Sequence, residues 1–304
     1  KLPNCPTDTE PEKFLVSIPS SEYGIKHQLL REAEYHTIAP TEYDKDRCLI
    51  PSELIAFLRT TQPTEYDKLI DALGSESKAE KSLLDRLETE LKQGTLSVLR
   101  NTEFDAGYGA RFRMVYFQPV NNKSPEHEAW YAENRLAVVR QLKYSNKNNN
   151  SIDMVIFLNG LPIITIELKN TLTGQTHHNA IKQYMEDRPI DGEKLLEFKR
   201  CLVHFAVGTE QVFMTTRLDG RKTRFFPFNV CYANEKLPNK GYKSSYLWED
   251  VLRRESILDL IQNYISLQTS EELDYNEKTR KLDTKKSKAL IFPRYHQRRA
   301  VHKI

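Results

Sequence analysis

The chain has 304 residues, 39% hydrophobic and 29% charged, which is enough for one large domain or two ordinary ones, and no apolar run approaches a membrane span. A formal net charge of +3 is too small to establish nucleic-acid binding by itself, so any such role would fall to local basic clusters. The four cysteines, Cys5, Cys48, Cys201 and Cys231, are scattered without a Cys-x-x-Cys, which suggests neither a zinc site nor a disulfide framework and makes a reducing cytoplasm the default location.

Residues 1–19 read as a polar, proline-containing lead-in without a signal peptide, and Lys1 in first position points to a missing natural start. A helix is expected over residues 20–38, capped by Ser20 or Ser21, with Ile25, Leu29 and Leu30 as its apolar stripe. Residues 51–94 are expected to be helical. Pro51 opens a segment carrying Leu54, Ile55, Phe57 and Leu58; Thr61 to Glu65 breaks it; Tyr66, Leu69, Ile70 and Leu73 follow up to Gly74. A third segment, Glu80 to Lys92, carries Leu83, Leu84, Leu87 and Leu91, and Gly94 closes it. These helices form a packing insertion around 51–94 and carry no evident chemistry.

From Thr95 the period changes. Residues 96–100, 112–117 and 136–144 read as strands, and Asn-rich 145–150 is a turn. After residues 151–170, a polar loop leads to a helix over 179–188, then to strands over 201–208, 211–216 and 223–228. Arg217, Arg221, Lys222 and Arg224 cluster around a turn at Asp219-Gly220. A helix pair is expected over 247–265. Residues 269–289, with Lys278, Lys281, Lys285, Lys286 and Lys288, read as a basic linker before Leu290. The order of elements predicts an α/β core with a mixed central sheet flanked by helices.

The stretch Ser151 to Asn170 holds the chemistry. Two β-branched apolar runs flank Asn159-Gly160, a strong hairpin signal. Asp153, Glu167 and Lys169 interrupt them, and charges inside such strands are expensive unless paired or metal-bound. Glu167 and Lys169 share a face by alternation. An unbulged two-residue loop would put Asp153 on the other face; a three-residue loop, Leu158 to Gly160, or a bulge elsewhere would bring it back. The expected result is two carboxylates and one ammonium at the open end of a hairpin. Such a set suits Mg²⁺, which polarises a phosphodiester and acidifies an attacking water, with Lys169 positioning that water or balancing charge. The competing reading is an Asp/Glu/Lys salt-bridge cluster.

Asp153 followed by Glu167-Leu168-Lys169 resembles the PD-(D/E)xK nuclease motif, with Ile152 at the usual proline. The resemblance implies that the first core helix offers a carboxylate, for which Glu22 is the candidate; the alternative is a glutamate placed in a helix's first turn by the dipole. It also implies that Gln183 and Tyr184 face the site. The related Gln-x-x-x-Tyr pattern matches only in part, since Ala180 stands at that Gln spacing. Lys182, Arg188, Arg221 and Lys222 are then candidates for DNA phosphates.

A longer resemblance covers Ser20 to the end. Thr173-Gly174-Gln175, Phe198-Lys-Arg-Cys-Leu-Val-His-Phe-Ala-Val, Met214-Thr-Thr-Arg-Leu, Tyr246-Leu-Trp-Glu and Phe292-Pro-Arg-Tyr-His-Gln are similar to the N-terminal part of the R subunit of type I restriction-modification enzymes. It implies a Mg²⁺-dependent nuclease domain over 20–268 and the start of a helicase-like motor over 290–304, with Gln297 as the adenine contact for ATP. It further implies double-stranded DNA and the methylation (M) and specificity (S) subunits as partners. The chain contains no Gly-x-x-x-x-Gly-Lys-Ser/Thr phosphate loop, so ATP hydrolysis would belong to another part of the enzyme. Two alternatives are a catalytically silent nuclease fold that docks the motor and a nuclease of another class, such as a repair exonuclease.

Overall fold

The computed structural model describes residue 29 and residues 34–119, 124–170, 174–235, 242–276 and 281–301. The expected lead-in over 1–19 and Glu22 lie outside the described residues.

Seven strands form one mixed sheet: β1 (His36–Thr37), β4 (Leu136–Lys143), β5 (Ser151–Leu158), β6 (Leu161–Leu168), β7 (Val203–Val207), β8 (Val212–Thr215) and β9 (Phe226–Pro227), in that spatial order. The pairs β1–β4 and β6–β7 are parallel and the others antiparallel. This is the expected α/β architecture, consistent with a PD-(D/E)xK-like core. Alternation along β5 and β6 divides the core. Met154, Ile156, Ile164 and Ile166 join the larger cluster on one face, and Val155 and Phe157 belong to a second cluster. Helix α6 (His177–Lys182), continuing as a π-helical turn over Gln183–Asp187, covers that second face through Ala180 and Tyr184.

Of the two expected ways to bring Asp153 onto the face of Glu167, a three-residue loop or a bulge elsewhere, the β5–β6 hairpin uses the bulge. Leu158 pairs with Leu161 across a two-residue turn, Asn159-Gly160, in which both φ angles are positive (49° and 79°). That is the twist-matched hairpin turn. The register then shifts between Ile156 and Phe157, so that Ile156 opposes Ile164 and Val155 opposes Thr165. The extra residue, Ile163, is a β-bulge, and it returns Asp153 to the face of Glu167. Gly160 has a second reason to be glycine: a Cβ there would sit 2.4 Å from the Ile50 carbonyl oxygen.

The insertion is helical as expected: α1 (Pro51–Thr61), α2 (Pro63–Leu73) and α3 (Glu76–Glu90), with Gly74 left-handed between the last two and Ser75 capping α3. Several local expectations change. Residues 95–100 form a short helix, α4 (Thr95–Arg100), not a strand; Thr95 anchors it by donating through Oγ1 to the Arg200 carbonyl at 2.6 Å. A five-residue apolar run is too short to separate the two periods, and tertiary contacts decide it. The strand expected over 112–117 ends at Phe112: β2 (Phe104–Gly107) and β3 (Ala110–Phe112) make a small separate ribbon. A short helix, α5 (Pro125–Ala132), precedes β4. Of the helix expected over 20–38, Leu29 is helical, but His36–Thr37 is the edge strand β1.

The helix pair over 247–265 is formed by π-helical turns flanking α7 (Arg254–Asp259). The segment read as a linker is an antiparallel ribbon, β10 (Ser266–Asn276) with β11 (Lys281–Ile291). Lys286 faces Glu271 across it at 2.8 Å, a pairing that a lysine-rich composition does not reveal. Beyond it, α8 (Tyr295–Val301) is held to the sheet layer: Phe292 packs on Phe205 and Phe228, and Tyr295 on Phe228 and Tyr246. No helix among the described residues is long and apolar enough to cross a membrane.

Candidate active site

The open end of the β5–β6 hairpin brings Asp153, Glu167 and Lys169 together. Asp153 is fixed from both sides. Its Oδ2 accepts the Leu168 backbone N–H at 2.8 Å, and its Oδ1 accepts from Gln141 Nε2 at 3.2 Å. Gln141 lies opposite it on β4, between the pairs Arg140–Met154 and Leu142–Ile152, at a left-handed φ of 47°. The Lys169 ammonium stands 3.8 Å from Asp153 Oδ2, with both side chains mostly buried.

Glu167 is fully buried. Its Oε1 is held by Arg188, whose Nη2 and Nε lie 3.1 and 3.2 Å away. Its Oε2 is buried and has no hydrogen-bond partner. Burial, and then the charge of the adjacent Asp153 carboxyl, push the Glu167 carboxyl well above the usual range; Arg188 and Lys169 oppose this less strongly. An ionised carboxylate with an orphaned oxygen, beside a second carboxylate, lacks a positive partner on one side.

One row further from the open end, the same face carries Thr165, Tyr184 and His204. Thr165 Oγ1 lies 2.8 Å from Tyr184 Oη and 2.7 Å from His204 Nδ1. All three residues are buried, and burial lowers His204 to about 3, so its imidazole is neutral. Tyr184 is therefore part of the layer beneath the carboxylates.

The remaining candidates are dispersed. Among the described hydrogen bonds none joins Gln183 to Asp153, Glu167 or Lys169, although the helix that carries Gln183 covers the right face. Lys182 and Arg221 are exposed and both pair with Glu186, at 3.9 and 3.7 Å; Lys222 is exposed as well. Arg188, expected at a phosphate, turns inward onto Glu167. Gln297 accepts the Arg294 N–H through Oε1 at 2.8 Å and so caps the start of α8. Gln141 was not foreseen: an interior strand glutamine carries no signal, and only its register opposite Asp153 reveals it.

Among the described residues no three His, Cys, Asp or Glu side chains converge as a metal cluster. The donor set is two carboxylates, Asp153 and Glu167. They fit a hard divalent cation that keeps several waters, because Glu167 Oε2 is a buried oxygen lacking a partner.

The sequence profile of the type I restriction enzyme R protein N terminus matches residues 21–223. A protein of Methanocaldococcus jannaschii, provisionally named as the endonuclease subunit of the type I restriction enzyme MjaVIIIP, is 31% identical over 169 residues, or 54% of this chain. The match covers 14% of that much longer relative. The β5–β6 hairpin, its neighbours β4 and β7, and the whole helical insertion fall inside the matched profile, as do Asp153, Glu167, Lys169 and Arg188. The chain belongs to the family of type I restriction enzyme R protein N termini.

Proposed function

We propose that this chain is the Mg²⁺-dependent endonuclease domain of a type I restriction enzyme R subunit and cuts unmodified double-stranded DNA after ATP-driven translocation. One observation carries the reading: Asp153, Glu167 and Lys169 converge at the hairpin end, and Glu167 Oε2 is buried there without a hydrogen-bond partner. Asp153 and Glu167 would hold the ion, which when bound polarises the phosphodiester and acidifies water. The Leu168 N–H and Gln141 keep the Asp153 carboxylate oriented. The Lys169 ammonium, placed beside Asp153, stabilises negative charge developing on the phosphate oxygens or orients the attacking water.

Translocation belongs to a motor encoded beyond the chain described, since the chain has no phosphate loop. In the full-length protein Gln297 would contact the adenine of ATP. Duplex DNA and the methylation and specificity subunits are the proposed partners, with the exposed Lys182, Arg221 and Lys222 available to phosphates.

The test is supercoiled-plasmid cleavage by the reconstituted full-length enzyme carrying Asp153→Ala or Glu167→Ala. Cleavage is expected to fall by about a thousandfold or more while ATP hydrolysis continues, the order lost with key electrostatic groups. Retained cutting by either variant rejects the assignment and favours the silent docking module.

A further inference from the structure

Arg188 follows the π-helical turn over 183–187, at a residue with φ −114° and ψ 89°, so the chain leaves the helix there. Its guanidinium is buried, with 9% side-chain exposure. Nη2 donates to the Ser151 carbonyl at 2.7 Å and lies 3.1 Å from Glu167 Oε1; Nε lies 3.2 Å from the same oxygen. An arginine that tracks a DNA backbone presents its fork to solvent. This fork is closed on one carboxylate oxygen and one strand carbonyl.

We infer that Arg188 is a positioning residue for Glu167: by holding Oε1 it fixes which oxygen stands beside Asp153, and it makes no contact with DNA phosphate. The geometry is specific. Two donors converge on Oε1, leaving Oε2 as the one oxygen of Glu167 without a hydrogen bond. The contact to Ser151 ties the same guanidinium to the start of β5, two residues before Asp153. One side chain therefore fixes the relation of the two strands that supply the carboxylates. A lysine has a single nitrogen and cannot make the same fork. The inference rests on the nuclease reading and deepens it.

The experiment compares wild type, Arg188→Ala, Arg188→Lys and Asp153→Ala in the full-length protein. Three quantities are measured: Mn²⁺ binding by electron paramagnetic resonance, duplex binding without divalent metal across a salt series, and plasmid cleavage. Arg188→Ala is expected to weaken Mn²⁺ binding about tenfold and cleavage about a hundredfold, the scale seen when a residue supporting a metal ligand is lost. Its DNA affinity and salt slope should match wild type. Arg188→Lys should lie between the two, and it decides the matter if the alanine variant is misfolded by circular dichroism.

Any one of the following results overturns the assignment. Unchanged Mn²⁺ binding with a salt slope reduced by about one would make Arg188 a phosphate contact. Tighter Mn²⁺ binding in Arg188→Ala would make it a competing cation. A lysine variant equal to wild type would show that any positive charge suffices. Mn²⁺ binding that depends on Asp153 but not on Arg188 sinks this assignment alone. Mn²⁺ binding indifferent to Asp153 sinks the nuclease reading, and the assignment with it.

Discussion

At the turn end of the β5–β6 hairpin a buried glutamate, Glu53, meets Arg135 in a two-pronged pair, Nε to Oε2 and Nη2 to Oε1, each at 2.9 Å. At the open end a buried glutamate, Glu167, meets Arg188 through one oxygen and leaves the other without a partner. Around Glu53 the polar groups are saturated. Asn159 accepts the Arg135 N–H at 2.7 Å and donates to the Met114 carbonyl at 2.8 Å and to Asn134 Oδ1 at 3.0 Å. Around Glu167 a second carboxylate adds repulsion. A carboxylate whose lone pairs are used serves the fold, whereas one left half-used costs stability and keeps an oxygen for a cation.

The same isosteric change at the two glutamates should therefore act in opposite directions. Glu53→Gln turns an amide N–H₂ toward a guanidinium that can only donate, and strands the Arg135 charge beside it. Urea unfolding at pH 7 should show a loss of about 3 kcal/mol, the lower end for a broken buried pair because Arg135 is partly exposed. A loss below about 0.5 kcal/mol would mean that the turn end is not held by this pair.

Lys169 separates catalysis from charge balance at the open end. If the ammonium only neutralised Asp153, arginine would serve as well. A compact point charge in a mostly buried position does not accommodate a planar fork. Lys169→Arg is expected to cut supercoiled plasmid no better than Lys169→Ala, each about a hundredfold below wild type, with ATP hydrolysis as the control for folding. Near-normal cutting by the arginine variant would reduce Lys169 to a salt-bridge partner.

Much of this contrast was legible in the sequence. Asn159-Gly160 between β-branched runs announces the hairpin, and three charges in apolar strands announce the site. The requirement that Asp153 share a face with Glu167 was also readable. A bulge was one of the two solutions it allowed, but its position was not readable, because Ile163, the bulged residue, is one aliphatic residue among many and nothing local marks it. Long-range partners were hidden for a similar reason. Arg188 meets Glu167 across 21 positions and Arg135 meets Glu53 across 82, and no periodicity encodes such pairings. The ribbon over 266–291 was missed because its lysines were weighed as composition, whereas register sets Glu271 against Lys286. The inward turn of Arg188 was missed because an arginine beside a proposed nuclease site invites a phosphate contact.

The row beneath the carboxylates sharpens the contrast by pH. His204 is buried neutral and bonded to Thr165, and its folded value is lowered to about 3 from an ordinary 6.5. The unfolded chain therefore takes up this proton first as pH falls, so the histidine costs stability between about 6.5 and 3. His204→Asn keeps a polar atom near Nδ1 and removes the titration. From pH 6.5 to 4.5 wild type should lose about 2 kcal/mol more than the variant in urea unfolding. Parallel losses would mean that His204 is hydrated, or charged, in the folded protein.

The smallest effect expected is at Glu167 itself. Its carboxyl is raised above the ordinary range, so the folded state favours its protonated form. The folded chain then binds this proton more tightly than the unfolded chain. Stability consequently falls as pH rises from the ordinary carboxylate value through the raised one, and that loss burdens the wild type above the ordinary carboxylate range. Glu167→Gln removes that burden and offers Asp153 a hydrogen-bond donor in place of a second negative charge. Without divalent metal the variant should melt roughly 2–4 °C above wild type at pH 7.5, equivalent to about 1 kcal/mol. The advantage should vanish near pH 4.5, where wild type has regained its proton. Mg²⁺ should reverse the order: it supplies the positive partner that Glu167 Oε2 lacks, raises the melting temperature of wild type, and leaves the variant unmoved. A variant less stable than wild type in metal-free buffer would show that the Arg188 pair outweighs the burial of Glu167. The two ends of the hairpin would then be built alike.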